Sequence, residues 1–220
     1  MKTALIIAGG ETEAALLKAE TAKLRREGGL LIAADRGLEA LEDIRELPDV
    51  AVGDFDSVKP ETLAAFEQCE GVRFERHRPQ KNESDTELAF SIAAEEGVTD
   101  VILMGGTGTR LDHTLSNIHL LKAAMDRKLD CVILDSHNRI RLVRGRTVFR
   151  RNENAFPYIS FIPLTQEVTH ITLTGFRYPL TDYHMTLGKE CSLCVSNELE
   201  GEEAVLEFGE GLLLAIESRD

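Results

Sequence analysis

Val50-Ala51-Val52-Gly53-Asp54-Phe55-Asp56-Ser57 joins a short apolar run to two carboxylates one residue apart. The run is continuous rather than alternating, as a strand covered on both faces should be. The carboxylates fall where it ends. Carboxylates held close together repel, so the pair calls for a partner. Mg²⁺ typically takes one or two carboxylates together with substrate phosphates. The other reading is a polar turn, with Asp56 capping a helix that Pro60 helps to start. The neighbouring segments separate the two.

Upstream, residues 3–8 read as a buried strand closed by Gly9-Gly10. A helix follows from Thr12 to Glu27, its apolar face supplied by Ala14, Ala15, Leu16, Leu17 and Leu24 and its end marked by Gly28-Gly29. Residues 30–34 are a second strand ending in Asp35-Arg36-Gly37, and a short helix spans 38–47. Downstream, 61–68 is helical and 72–75 is a weaker strand interrupted by Arg73. Residues 84–96 form a helix opened by Ser84 and Glu87 as a capping box. Residues 101–104 are a strand ending in Gly105-Gly106-Thr107-Gly108, 112–128 a helix, and 131–134 a strand. Strand and helix alternating at this spacing imply βαβ units and a mainly parallel, Rossmann-like sheet with flanking helices.

After Asp135 the texture changes. Basic and apolar residues mix from Arg139 to Arg151. Short strand-like runs follow at 158–162, 168–173, 192–195, 204–208 and 212–216, separated by Gly, Pro, Asn and Asp. The fold class is therefore α/β plus all-β. Residues 1–136 form the α/β domain and 137–220 a β-sandwich or partial barrel.

The chain has 220 residues and a formal charge of −13, which argues against a nucleic-acid or anionic-membrane surface. No run approaches the ~20 apolar residues of a membrane span. Leu5-Ile6-Ile7-Ala8 is too short for a signal peptide, so the expected location is cytoplasmic. Cys191 and Cys194 form a lone CxxC with no second ligand pair, so it is read as reduced thiols rather than a zinc site.

In an open α/β sheet the carboxyl ends of the strands share one edge, and ligands bind there. Asp35 follows the second strand, and Asp54, Asp56 and Ser57 the third. Lys81, Asn82, Ser84 and Asp85 follow the fourth, and Arg110, Asp112 and His113 follow the glycines after the fifth. Acids arriving from the ends of different strands favour a Mg²⁺–phosphate site over separate caps. Gly105 to Thr109 could offer backbone N–H groups to phosphate oxygens, with Gly106 and Gly108 the close-approach points. It is neither a Walker A loop nor a dinucleotide fingerprint, since Leu111 occupies the third glycine position. Arg110 could grip a phosphate with two prongs, and Lys81 could meet one as a point charge. His113 is read equally as a capping or packing residue. His77, His119, His137, His170 and His184 show no ligand spacing and are read as structural.

Taken in order, Asp35-Arg36-Gly37, Gly53-Asp54-Phe55-Asp56-Ser57, Lys81-Asn82-Glu83-Ser84-Asp85, the glycine loop with Arg110-Leu111-Asp112-His113, and Ser196-Asn197-Glu198 resemble the thiamine pyrophosphokinase family over nearly the whole chain. Three positions depart from its pattern. Arg36 and Thr109 stand where glycine is usual, and Asn82 stands where aspartate is usual. The resemblance implies transfer of a diphosphoryl group from ATP to the hydroxyl of thiamine. It implies Mg²⁺ on Asp54, Asp56 and Asp85, and roles in catalysis for Arg110, Lys81 and Asp112. Nucleotide contacts would come from Asp35, Gly53, Ser57, Gly106, Gly108, Thr109 and His113. Thiamine would lie near Ser196 and Asn197 at the interface of a homodimer. With no Trp in the chain, a stacking partner for the pyrimidine must be Phe, Tyr or aliphatic.

Two other functions compete. Asp54-Phe55-Asp56 also looks like the nucleophile motif of haloacid-dehalogenase-type phosphatases, although that motif belongs on the first strand of its domain. A non-catalytic Mg²⁺–nucleotide sensor would suit the altered Arg36, Asn82 and Thr109.

Overall fold

The computed structural model describes residues 2–78, 83–108, 110–151, 156–190 and 192–220. The chain separates into two compact units, Met1–Ser136 and His137–Asp220.

In the first unit the elements are β1 (Thr3–Ile7), α1 (Ala14–Glu27), β2 (Leu30–Ala34), α2 (Gly37–Ile44), β3 (Val50–Gly53) and α3 (Pro60–Glu67). Then come β4 (Arg73–Arg76), α4 (Asp85–Glu95), β5 (Asp100–Met104), α5 (Leu111–Asp126) and β6 (Asp130–Leu134). The strands are parallel and lie in the order β4-β3-β2-β1-β5-β6. The chain therefore winds outward from β1 to β4, then crosses back to lay β5 on the other side of β1. Ile7 sits opposite both Ala33 of β2 and Met104 of β5.

The apolar runs explain the sheet. Leu5, Ile7, Leu31, Ala33 and Ala51 on one face are packed by Leu17 and Leu24 of α1, Leu38 and Leu41 of α2 and Phe66 of α3. Each such buried Leu or Phe contributes roughly 1.5–3 kcal/mol. α1 ends on Gly28 in the left-handed conformation, whose N–H bonds back to Arg25 and Leu24 carbonyls. It begins at Ala14, two residues later than Thr12, with Glu13 as an N-cap that makes no side-chain bond. Ser84 caps α4 by accepting the Glu87 N–H at 3.2 Å. β4 tolerates Arg73 because it is the edge strand, where Arg73 pairs outward with Glu75 and Glu96.

The second unit consists of β7 (Asn138–Val143), β8 (Thr147–Arg150), β9 (Tyr158–Pro163), β10 (Glu167–Thr174), β11 (Leu180–Thr186), β12 (Glu203–Glu207) and β13 (Leu213–Ser218). β13 pairs antiparallel with both β7 and β9, and a second antiparallel layer runs β11-β10-β12-β8. Both layers share one core, so this unit is a sandwich. Phe149, Phe161 and Phe176 meet edge-to-face with ring centroids 5.6–5.9 Å apart, alongside Val168, Ile171, Leu206 and Leu213. One expectation is corrected here, and one strand is found that was not expected. Ser192–Val195 is a turn rather than a strand, with Leu193 and Val195 exposed. Leu180–Thr186 is a strand although its polar alternation gave no clear signal.

Candidate functional site

The carboxyl end of the first unit's sheet is shaped by two tight passages. At the end of β3, Gly53 has φ 150, and a β-carbon there would lie 3.3 Å from Asp85 Oδ1 and 3.4 Å from the Asp35 backbone. Only glycine suits both the angle and the crowding. Phe55 follows with φ 60 and is 4% exposed. Its ring packs edge-on to Phe74 at 5.7 Å, with the Arg76 guanidinium 5.1 Å over it. Anchoring Phe55 in the core leaves the flanking carboxylates at the rim. Asp54 Oδ1 accepts the Asp56 N–H at 3.2 Å, and Ser57 Oγ donates to Asp56 Oδ1 at 2.9 Å.

Asp35 reaches the same point from β2. Its backbone is left-handed at φ 47, and its N–H donates to the Val52 carbonyl. Carboxylate oxygens of Asp35, Asp54 and Asp56 lie within 4.8 Å of one another. Asp35 Oδ1 is buried with no hydrogen-bond partner. Burial, opposed by a hydrogen bond from the Arg36 N–H, and repulsion from Asp85, Asp54 and Asp56 raise the Asp35 carboxyl from 3.8 to about 6. An unsatisfied carboxylate oxygen facing two others is a donor set that fits a hard divalent cation. The resemblance assigned the metal to Asp54, Asp56 and Asp85. The convergent trio in the structure is Asp35, Asp54 and Asp56, with Asp85 beside Gly53.

The second passage lies between β1 and β5. The Gly10 N–H donates to the Gly105 carbonyl at 2.9 Å, and a β-carbon on Gly10 would fall 2.2 Å from the Thr107 carbonyl oxygen. The two glycine turns thus lie against each other at the point where the strand order reverses. A cleft of about 720 Å³ opens there, lined by both turns and by Asp35, Arg36, Ser57, Ser84, Asp85, Asp112, His113 and Asn117. Asn117 fixes the β5 turn by donating to the Gly106 carbonyl at 2.9 Å, and Thr107 Oγ1 donates to Asp135 at 2.7 Å. Arg110 and Asp112 are exposed and pair with each other at 2.6 Å, which holds the Asp112 carboxyl below its usual range. His113 is exposed on the first turn of α5. Arg36 also lines the cleft and pairs with Glu39 at 3.6 Å. Lys81, Asn82 and Thr109 lie outside the described residues.

In the second unit Asn197 is 1% exposed and works as scaffold. Its Oδ1 accepts the N–H groups of Tyr178 and Glu198, and its Nδ2 donates to the Tyr178 carbonyl. Ser196 is exposed, with a left-handed backbone. Asn197 thereby holds Tyr178, a residue 53% exposed with the Arg177 guanidinium 5.6 Å from its ring centroid. Sequence reasoning missed Tyr178, which had no motif around it. It also left Gly9-Gly10 out of the rim, although paired glycines after a strand were a usable signal.

A parallel α/β unit with a carboxylate trio at its rim and a cleft at its switch point, joined to an antiparallel sandwich, defines an open-sheet α/β protein with a separate β module. Residues 21–133 match the thiamin pyrophosphokinase catalytic domain, and 146–213 match the thiamin pyrophosphokinase vitamin B1 binding domain. The thiamine pyrophosphokinase of Bacillus subtilis is 34% identical over 221 residues, covering 100% of both chains. A crystal structure of the Bacillus subtilis thiamine pyrophosphokinase superposes with TM-score 0.87 at 33% identity over 100% of both chains. One from Geobacillus thermodenitrificans gives 0.83 at 31% over 99% and 98%. The chain belongs to the thiamin pyrophosphokinase family, whose members are kinase-class transferases. Neither the phosphatase nor the sensor reading is favoured. Among the described residues, no helix is long and apolar enough to cross a membrane.

Proposed function

We propose that the protein transfers the diphosphoryl group of ATP to the hydroxyl of thiamine, giving thiamine diphosphate and AMP. The observation that carries this reading is the Asp35–Asp54–Asp56 trio, with its unpartnered buried oxygen, on the rim of the glycine-lined cleft. The thiamine oxygen bonds to the β-phosphorus, the bond from that phosphorus to the α–β bridging oxygen breaks, and AMP leaves with the oxygen. The hydroxyl proton passes to a carboxylate of the rim.

Asp35, Asp54 and Asp56, with Asp85 beside them, would hold Mg²⁺. When bound, the ion neutralises polyphosphate charge. The glycine turns offer backbone N–H groups near the N-terminus of α5, with Gly53, Ser57 and His113 at the nucleotide. Arg110 and Lys81 stabilise charge on the transferring group. Asp112, held ionised by Arg110, is a better hydrogen-bond acceptor than proton acceptor, which suits it to orienting the alcohol. Thiamine meets the second unit through Ser196, with the Tyr178 ring as stacking surface and Asn197 as its support. Residues 1–136 serve as the catalytic domain and 137–220 as the thiamine-binding and dimerisation domain of a cytoplasmic homodimer.

The test supplies ATP, Mg²⁺ and thiamine to the purified protein and follows nucleotides by chromatography. AMP and thiamine diphosphate should form in equal amounts. ADP as product, or an acid-stable phosphate on an aspartate, would overturn the reading. Light scattering of the purified chain tests the dimer.

A further inference from the structure

The second unit carries another group of metal-ligating side chains, and the proposed reaction makes no use of it. His170 of β10 and Asp182 and His184 of β11 place their ligand atoms within 4.8 Å of one another. Only this group and the carboxylate trio bring three such side chains together among the described residues. His170 Nδ1 meets Asp182 Oδ1 at 2.5 Å, and the two imidazoles lie with ring centroids 4.8 Å apart. All three residues are exposed.

The backbone is arranged to bring them together. Asp182 and His184 are two apart on β11 and share its outer face, while Met185 is buried on the inner one. On β10 the alternation breaks. Val168 and Ile171 are both buried, with His170 exposed between them, and the register slips between those two positions. This irregularity adds a residue and turns His170 outward. His170 at φ 56 and Asp182 at φ 53 are both left-handed within strands, and a Thr172 hydroxyl accepts the Asp182 N–H at 3.2 Å. Gly209 leaves room for the ring, since a β-carbon there would lie 3.2 Å from His170 Cδ2 and 2.8 Å from Thr169 Oγ1.

We propose that His170, Asp182 and His184 bind a zinc-class divalent cation on the surface of the second unit. Two imidazoles and one carboxylate suit Zn²⁺, Co²⁺ or Ni²⁺, whereas Mg²⁺ prefers the all-oxygen trio of the first unit. The cation takes the place of the His170–Asp182 contact, and water completes its shell. β11 is the outer strand of its layer, and a ligand set divided between β10 and β11 staples that edge to the sheet.

Tag-free full-length protein is stripped with a chelator and titrated with Zn²⁺ in excess Mg²⁺, which keeps the acidic trio occupied. Wild type should take up one Zn²⁺ with a raised Tm. The double variant His170→Ala/His184→Ala should bind ~100-fold or more weakly and lose most of the Tm rise, and Asp182→Asn should bind ~10-fold more weakly with a correspondingly smaller rise. Co²⁺ should give visible absorption with wild type and none with the double variant. His184→Gln alone, away from the irregular turn of β10, serves if the double variant folds poorly. Absence of zinc uptake by wild type, or uptake unchanged in these variants, would overturn the assignment.

Discussion

Replacing Asp35 with Asn should make the metal-free protein more stable while removing its response to Mg²⁺. The Asp35 carboxyl is raised from 3.8 to about 6 by burial and by Asp85, Asp54 and Asp56. At neutral pH the fold carries this group ionised at a cost of about 3 kcal/mol. Solvent reaching the half-buried carboxylate screens that to ~1–2 kcal/mol. Because the folded value lies above the unfolded one, the stabilising contribution is complete below the unfolded value near 3.8. It is lost as pH rises through about 6. Metal-free wild type should therefore weaken between about pH 4 and 6, and Asp35→Asn should lose that part of the slope. Asparagine keeps the side-chain shape and tolerates the left-handed φ of 47. The assay is thermal unfolding of both proteins across this pH range, in chelator and in Mg²⁺, with turnover measured alongside. In chelator at neutral pH the variant should melt higher by roughly 2–8 °C, at about 2–4 °C per kcal/mol. In Mg²⁺ the order should reverse, and turnover should collapse. A variant that melts lower than wild type in chelator, or gains as much from Mg²⁺, would refute the electrostatic account of the trio.

Asp54→Asn and Asp56→Asn should each cut turnover by ~100-fold or more with the fold retained, read from steady-state rates and circular dichroism. Gly10→Ala forces a β-carbon within 2.2 Å of the Thr107 carbonyl oxygen. It should cost ~1–3 kcal/mol by urea unfolding and raise KM for ATP. Tyr178→Ala should raise KM for thiamine ~3–10-fold and leave KM for ATP unchanged, since lost stacking is worth about 0.5–1.5 kcal/mol. Phe176→Ala, which empties one seat of the three-ring cluster, should cost ~3–5 kcal/mol by the same unfolding assay.

The parallel sheet was legible because Leu30–Ala34 and Val101–Met104 are unbroken apolar runs, which covered strands require. Residues 72–75 read as weak because β4 is an edge, where charge costs little. β11 escaped notice for a related reason. It too is an edge, and its outward residues Asp182 and His184 break up the apolar signal. Ser192–Val195 misled in the opposite direction, since Leu193 and Val195 are apolar but face solvent. The acids at the rim could be gathered from strand ends. The convergence of Asp35 on Asp54 and Asp56 depends on positive φ at Asp35 and Phe55, which side-chain patterns do not report. His170 and His184 were passed over on spacing, because ligand sets read from sequence assume regular strands, and β10 is irregular there.

The return of the chain to β1 has a consequence for synthesis. One flank of β1 stays without its partner strand until Asp100–Met104 has been made. A nascent chain carrying only β1 to β4 exposes an apolar strand of four fully buried positions, Ala4 to Ile7, as an open edge. Closing that pairing spans roughly a hundred residues, a slow step for a domain otherwise built from neighbouring contacts. A truncation before β5 should therefore aggregate rather than fold as a smaller sheet, and hydrogen exchange during refolding should protect β1 amides late, together with those of β5.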